Sequence, residues 1–335
     1  MGIRSLKSGL QALRSFLAES IALLSPGRAV GQARRLRVGY LLQIPLIDPP
    51  SAERAAFLEG LRKHGYVVGG NLSIEYRSAE NQPEFLEDLA SELARERPDV
   101  IVTASSVPAA QAAAHVTRTI PIVFIGVPDP VAIGLVSSLS RPGGNVTGVA
   151  WESENLIGKR LELLRTVVPG MHRLAVIWNP SHGEAARSIT IIRSLVRDLG
   201  MNLDEYAFDE PTSLDRAFRQ MAQNRPDGIY VISDPRIVAL RATIANELLR
   251  LRLPSMFGYA GYVDAGGLMS YAADLVELYR RAADYVDRLF KGARASDLPV
   301  ELPTKFEFVL NKRTANILGL TIPQSILLRA DRVIE

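Results

Sequence analysis

The chain has 335 residues, 47% of them hydrophobic and 22% charged, enough ordinary globular sequence for about two domains. No apolar run reaches the ~18 residues of a membrane span, and the lack of cysteine excludes disulfides, thiolate metal sites and cysteine nucleophiles. The net charge of +3 is confined to residues 1–31, where Arg4, Lys7, Arg14 and Arg28 stand against Glu19, so the balanced remainder lacks the clustered cations that nucleic acid demands.

Residues 1–36 read as a leader. A basic start, apolar stretches at Phe16–Ala18 and Ile21–Leu24, and a small-x-small site at Ala29-Val30-Gly31 are the parts of a secretory signal, although Glu19 and Ser20 interrupt the apolar part. The other reading is an amphipathic or disordered extension.

Beyond the leader, short apolar runs alternate with segments of helical period. Strand Arg37–Leu42 leads into a helix over Ser51–His64, with Ala55, Phe57, Leu58 and Leu61 on one face and Gly65 ending it. Strand Leu72–Arg77, helix Pro83–Arg97, strand Val100–Ala104, helix Ala109–Thr117 and strand Ile122–Ile125 complete a first set. A second set follows: strand Leu174–Trp178, helix Ala185–Leu199, strand Leu203–Phe208, helix Leu214–Asn224, strand Ile229–Ile232, helix Ile237–Leu251 and strand Ser255–Phe257. The sets echo each other in residues as well as in order. Arg37–Pro45 matches Arg173–Pro180, Arg97-Pro-Asp matches Arg225-Pro-Asp, and Ile120-Pro121 matches Leu253-Pro254, at a nearly constant interval. So long a period means two like domains and not a solenoid of short repeats.

Alternating strands and helices predict an α/β fold of two Rossmann-like lobes with parallel sheets. Two Gly-Gly segments, Pro142–Gly148 and Asp264–Ser270, and a third stretch at Leu298–Leu310 read as crossovers, a three-crossover hinge between lobes. The expected division is residues 37–149 plus 270–300 for the first lobe and 150–269 plus 301–335 for the second. Two such lobes make a cleft suited to a small-molecule solute.

In open α/β sheets ligands sit beyond the carboxyl ends of the strands. Candidate ligand-binding residues there are Gln43, then Ser105 and Ser106 ahead of a helix start that would suit a carboxylate. Asp129 could meet an ammonium, or serve the turn before Pro130. On the second lobe the candidates are Asn179, Ser181, Asp234 and Tyr259, with Asp234 equally readable as the cap of the helix after Pro235. Trp151 and Tyr271 lie at crossovers, where each could stack on a planar ligand or pack the hinge. Glu152, beside Trp151, is a further carboxylate. No metal-ligand spacing, nucleophile elbow, Walker loop or dinucleotide fingerprint is present, so no cofactor or metal is expected.

Several segments taken together resemble bacterial ABC-transporter substrate-binding proteins, of the periplasmic binding protein type I group that includes aromatic-amino-acid binders. They include Phe57-Leu-Glu-Gly-Leu-Arg-Lys-His-Gly-Tyr66, Arg141-Pro-Gly-Gly-Asn-Val-Thr-Gly148, Ala265-Gly-Gly-Leu-Met-Ser-Tyr271 and Leu298–Phe306. The resemblance runs in order from Arg37 to Glu335. It implies an exported, periplasmic receptor that captures an amino acid or similar small carboxylate and delivers it to ABC permease membrane subunits. Such a protein is no enzyme and is expected to act as a monomer. The rivals are a cytoplasmic ligand-sensing regulator core of the same fold, for which residues 1–36 offer one helix and no clear second, and an enzyme using Asp129, Asp234 or Glu152.

Overall fold

The computed structural model describes residues 35–151 and 154–335. The leader up to residue 34, and Glu152, lie outside the described residues. Strands β1 (Leu36–Leu42), β2 (Leu72–Ser78), β3 (Val100–Ala104), β4 (Ile122–Pro128) and β5 (Val146–Trp151) form a first sheet in the order 2-1-3-4-5, with every pair parallel. In the second sheet β6 (Arg173–Trp178), β7 (Asn202–Ala207), β8 (Gly228–Val231), β9 (Ser255–Phe257) and β10 (Met269–Ala273) take the order 7-6-8-9-10, the same topology again. The duplicated sequence is therefore a duplicated fold. The second sheet continues through β11 (Phe306–Asn311), antiparallel to β10, and β12 (Arg332–Ile334).

The helices are α1 (Ala52–Lys63), α2 (Leu86–Arg95), α3 (Val107–Val116), α4 (Ile157–Val167), α5 (Gly183–Asp198), α6 (Pro211–Asn224), α7 (Pro235–Ala239), α8 (Arg241–Arg250), α9 (Gly261–Asp264), α10 (Leu275–Phe290), α11 (Lys312–Leu318) and α12 (Gln324–Leu327). The single helix expected over Ile237–Leu251 is broken at Leu240 (φ −97°, ψ 12°) into α7 and α8.

Strand pleating sends alternate residues to opposite faces. Val38, Tyr40 and Val102 meet α1 and α10 through Phe57, Leu61, Ala282 and Val286. Leu41, Ile101 and Phe124 face the other way, onto α2 and α3 through Leu86, Leu93, Ala109 and Ala113. Two matching layers flank the second sheet. Because α1 lies on one face and α2 and α3 on the other, a crevice opens between the ends of β1 and β3. The second sheet has its equivalent between β6 and β8.

The chain passes between lobes three times. It leaves the first after β5, returns through α10, and leaves again for β11. The division expected at residue 270 falls inside β10, which bonds β9 and β11 of the second sheet; the return begins at Asp274, the cap of α10. There α10 is stitched to α1, with His64 Nε2 2.8 Å from Asp284 and the Tyr66 hydroxyl donating to Asp287 at 2.9 Å. The crossovers bond one another, with Asp274 N–H donating to the Lys305 carbonyl at 3.0 Å and Ala150 N–H to the Glu301 carbonyl at 2.8 Å.

Candidate functional site

Eight of the ten expected residues stand just past a strand's carboxyl end. Trp151 is the last residue of β5 and Tyr271 lies within β10. In the first lobe Gln43 and Ser106 close the crevice between β1 and β3: both are buried, and the Ser106 hydroxyl donates to Gln43 Oε1 at 2.6 Å. Ser106 also caps α3, accepting from Ala109 N–H at 3.1 Å. Ser105 is exposed, and its hydroxyl lies 3.2 Å from that of Tyr279 on α10. Ser105 (φ 47°) and Asp129 (φ 36°) both adopt the left-handed backbone region, which costs non-glycine residues energy and concentrates at functional sites. Asp129 is exposed and accepts from Ala132 N–H at 3.1 Å, so its carboxylate holds the turn. Trp151 packs against the core under α10.

On the second lobe Asn179 is buried and accepts from Ser181 N–H at 3.0 Å, in a local turn that leaves Ser181 exposed. Asp234 caps α7 with one oxygen, Oδ1, which accepts from Arg236 N–H at 2.7 Å and Ile237 N–H at 3.1 Å. Its other oxygen, Oδ2, is buried with no hydrogen-bond partner among the described residues. An ionised oxygen in that position is costly until a donor reaches it. Tyr259 reaches out of this lobe, and its hydroxyl donates to Glu53 of α1 at 2.9 Å. Tyr271 instead stacks on Phe306, with ring centres 6.1 Å apart, and its carbonyl accepts from Arg160 Nε at 2.6 Å. That places it in the sheet's packing.

Several residues around these positions carry no motif. Arg160 is fully buried and donates to the Tyr230 hydroxyl at 2.9 Å. Glu184, in the first turn of α5, has its carboxyl pushed up to about 7 by burial and then by the charge of Glu154, against Arg187 and Arg160. Burial holds the His182 imidazole below its ordinary range, the Asp234 charge only partly offsetting it. Burial likewise raises the phenols of Tyr262, Tyr259 and Tyr279, keeping them neutral. Periodicity and turn chemistry give no sign of contacts such as Arg160 with Tyr230, which join elements far apart in the chain.

A cavity of 510 Å3 lies away from these residues, at the hinge, lined by Leu139, Leu278, Arg281, Glu301 and Lys305 among others. Within it Arg281 pairs with Glu301 and Lys305 with Asp274, each at 2.7 Å, and Glu277 pairs with Arg280. Among the described residues no group of three or more His, Asp or Glu is placed to hold a metal ion. Nor is any helix among them long and apolar enough to cross a membrane.

A doubled 2-1-3-4-5 sheet with polar groups at both sets of strand ends defines a two-lobed binding protein. The model of the ABC transporter substrate binding protein family matches residues 46–334, and the chain belongs to that family. A tyrosine-binding protein of Clostridioides difficile (strain R20291) is 29% identical over 278 residues, 82% of this chain and 79% of that one. A conserved domain protein of Vibrio cholerae superposes with a TM-score of 0.80 at 29% identity, covering 89% of this chain and 99% of that one. An ABC domain from Streptococcus pneumonia, solved with L-Trp, gives 0.80 at 25% identity, covering 90% and 100%. The fold is the type I periplasmic binding fold. The protein is a solute-binding receptor of an ABC import system, whose partners are a small molecule and the transporter; the regulator reading is set aside.

Proposed function

We propose that the protein captures an amino acid, or a similar small carboxylate, between the lobes and presents it to its permease by hinge closure. The observation that carries this reading is the pairing of opposite chemistries at equivalent strand ends. The start of α3 with Ser105, past β3, suits a carboxylate through its hydroxyl and the positive end of the helix. Asp234, past β8, keeps a carboxylate oxygen that no donor among the described residues reaches and that an ammonium would satisfy. The tyrosine named for one relative and the tryptophan bound to another support an aromatic amino acid as the solute. Of the remaining expected residues, Gln43, Ser106 and Asn179 shape the walls from within and Asp129 and Ser181 the rim, while Trp151 and Tyr271 pack the core and the sheet.

Differential affinity for the closed form drives capture. On this reading the chain makes and breaks no bonds, needs no cofactor or nucleic acid, and acts as an exported, periplasmic monomer. Asp129 supports the non-enzymatic reading, because its carboxylate is engaged in a turn. Calorimetric titration of the protein with the common amino acids tests the proposal. One narrow class, with aromatic members foremost, should bind, and Asp234→Asn should weaken that binding at least tenfold. Equal heats from wild type and variant would contradict the site, and no binding to any amino acid would contradict the solute class.

A further inference from the structure

Away from the crossovers, the described residues include a side-chain hydrogen bond from lobe to lobe, from the Tyr259 hydroxyl to Glu53 Oε1, between residues 206 apart in sequence. Each partner is set in place by its own lobe. Glu53 lies in the first turn of α1, behind the Ser51 cap that accepts from Arg54 N–H at 3.3 Å, where the helix dipole favours a carboxylate. Phe57 and Leu61 fix that helix in the first core. The Tyr259 ring lies over Gly261, where a Cβ would come within 2.4 Å of Cε1 and 3.0 Å of the hydroxyl oxygen. Its edge meets Tyr262 at 6.3 Å, and Tyr262 stacks on Phe257 at 4.5 Å. A ring confined in this way loses little freedom when its hydroxyl is bonded.

We infer, on the footing that the cleft is the solute site, that Glu53 and Tyr259 are a positioning pair for capture: their contact stabilises the closed arrangement without the solute. Part of the closing free energy is then written into the chain, and the ligand supplies only the remainder. Residues of this kind set how long a solute is retained more than how fast it arrives.

Small-angle scattering on the solute-free protein tests the pair directly. Tyr259→Phe and Glu53→Ala should each give a larger radius of gyration than wild type. Glu53→Gln, which keeps an acceptor oxygen, should fall between. Gly261→Ala should also expand the protein, since it displaces the ring while leaving hydroxyl and carboxylate intact. In solute titrations Tyr259→Phe and Glu53→Ala should each weaken affinity about tenfold, the scale of one hydrogen bond to a charged group. The double variant should be no weaker than either single one, because a shared bond is lost only once. Additive losses would mean that Tyr259 touches the solute and not its partner, and would overturn the pairing. An unchanged radius of gyration in both variants would overturn it as well. Should wild type bind no amino acid, the proposed solute class fails while the scattering comparison still decides the pair.

Discussion

Asp234 does two jobs with two oxygens. Oδ1 closes the first turn of α7 while Oδ2 is without a donor among the described residues. Asparagine caps helices about as well as aspartate, so Asp234→Asn should change the urea midpoint by less than the equivalent of about 1 kcal/mol while greatly weakening the solute. Asp234→Ala, by contrast, should cost about 1–2 kcal/mol of stability as well. Glu184 offers a test by pH. Its carboxyl is raised from an ordinary 4.5 to about 7, chiefly by burial. Between those values the folded chain holds a proton that the unfolded chain has lost, so this contribution is complete below the lower value. It disappears as pH rises through the upper one. Glu184 keeps some solvent contact, which reduces the effect to about 2 kcal/mol. Urea midpoints should fall for wild type between pH 5 and pH 8, and Glu184→Gln should remove that part of the decline. At this scale the sequence was informative about placement and silent about occupation. Strand ends located Ser106, Asp129 and Asp234, and the turn before Pro130 was one of the two readings of Asp129, but nothing local shows that Ser106 is engaged by Gln43. Glu53 escaped attention because its partner lies in the other half of the chain.

Element by element, the α/β alternation and the repeated order were legible because a buried parallel strand reads as a continuous apolar run, as Val100–Ala104 does. Which sheet a strand joins was not. β10 follows a Gly-Gly segment, Asp264–Ser270, that was expected to cross between lobes but instead joins β9 to β10 within the second sheet, and it has the same apolar character as a strand of either lobe. Only its pairing with β9 and β11 assigns it. The break at Leu240 was hidden too, since no proline or glycine interrupts Ile237–Leu251. The Pro142–Gly148 segment, expected as a crossover, instead leads into β5, where Gly148 is a stringent test of local geometry. At φ 153° its Cα lies so close to β4 that a Cβ would stand 2.1 Å from the Phe124 carbonyl oxygen and 2.8 Å from the Phe124 nitrogen. Backbone cannot yield as a side-chain tip can, so Gly148→Ala should prise β5 from β4 and cost about 3 kcal/mol or more, read as a lowered urea midpoint. Ser106→Ala should cost about 2 kcal/mol, through the lost cap on α3 and the lost donor to buried Gln43.

For the whole molecule, two copies of one lobe matter because they bring two sets of strand ends to one solute while the three crossings keep each core intact. A bound solute should raise apparent stability by mass action, about 2.7 kcal/mol at a hundredfold excess over Kd. Hydrogen–deuterium exchange with and without the amino acid that binds best is the most direct test of the account. Protection is predicted on both lobes together, around residues 43–47 and 105–110 of the first and 179–185, 233–240 and 258–262 of the second. Protection confined to one lobe, or centred on the hinge cavity beside Arg281 and Glu301, would contradict it.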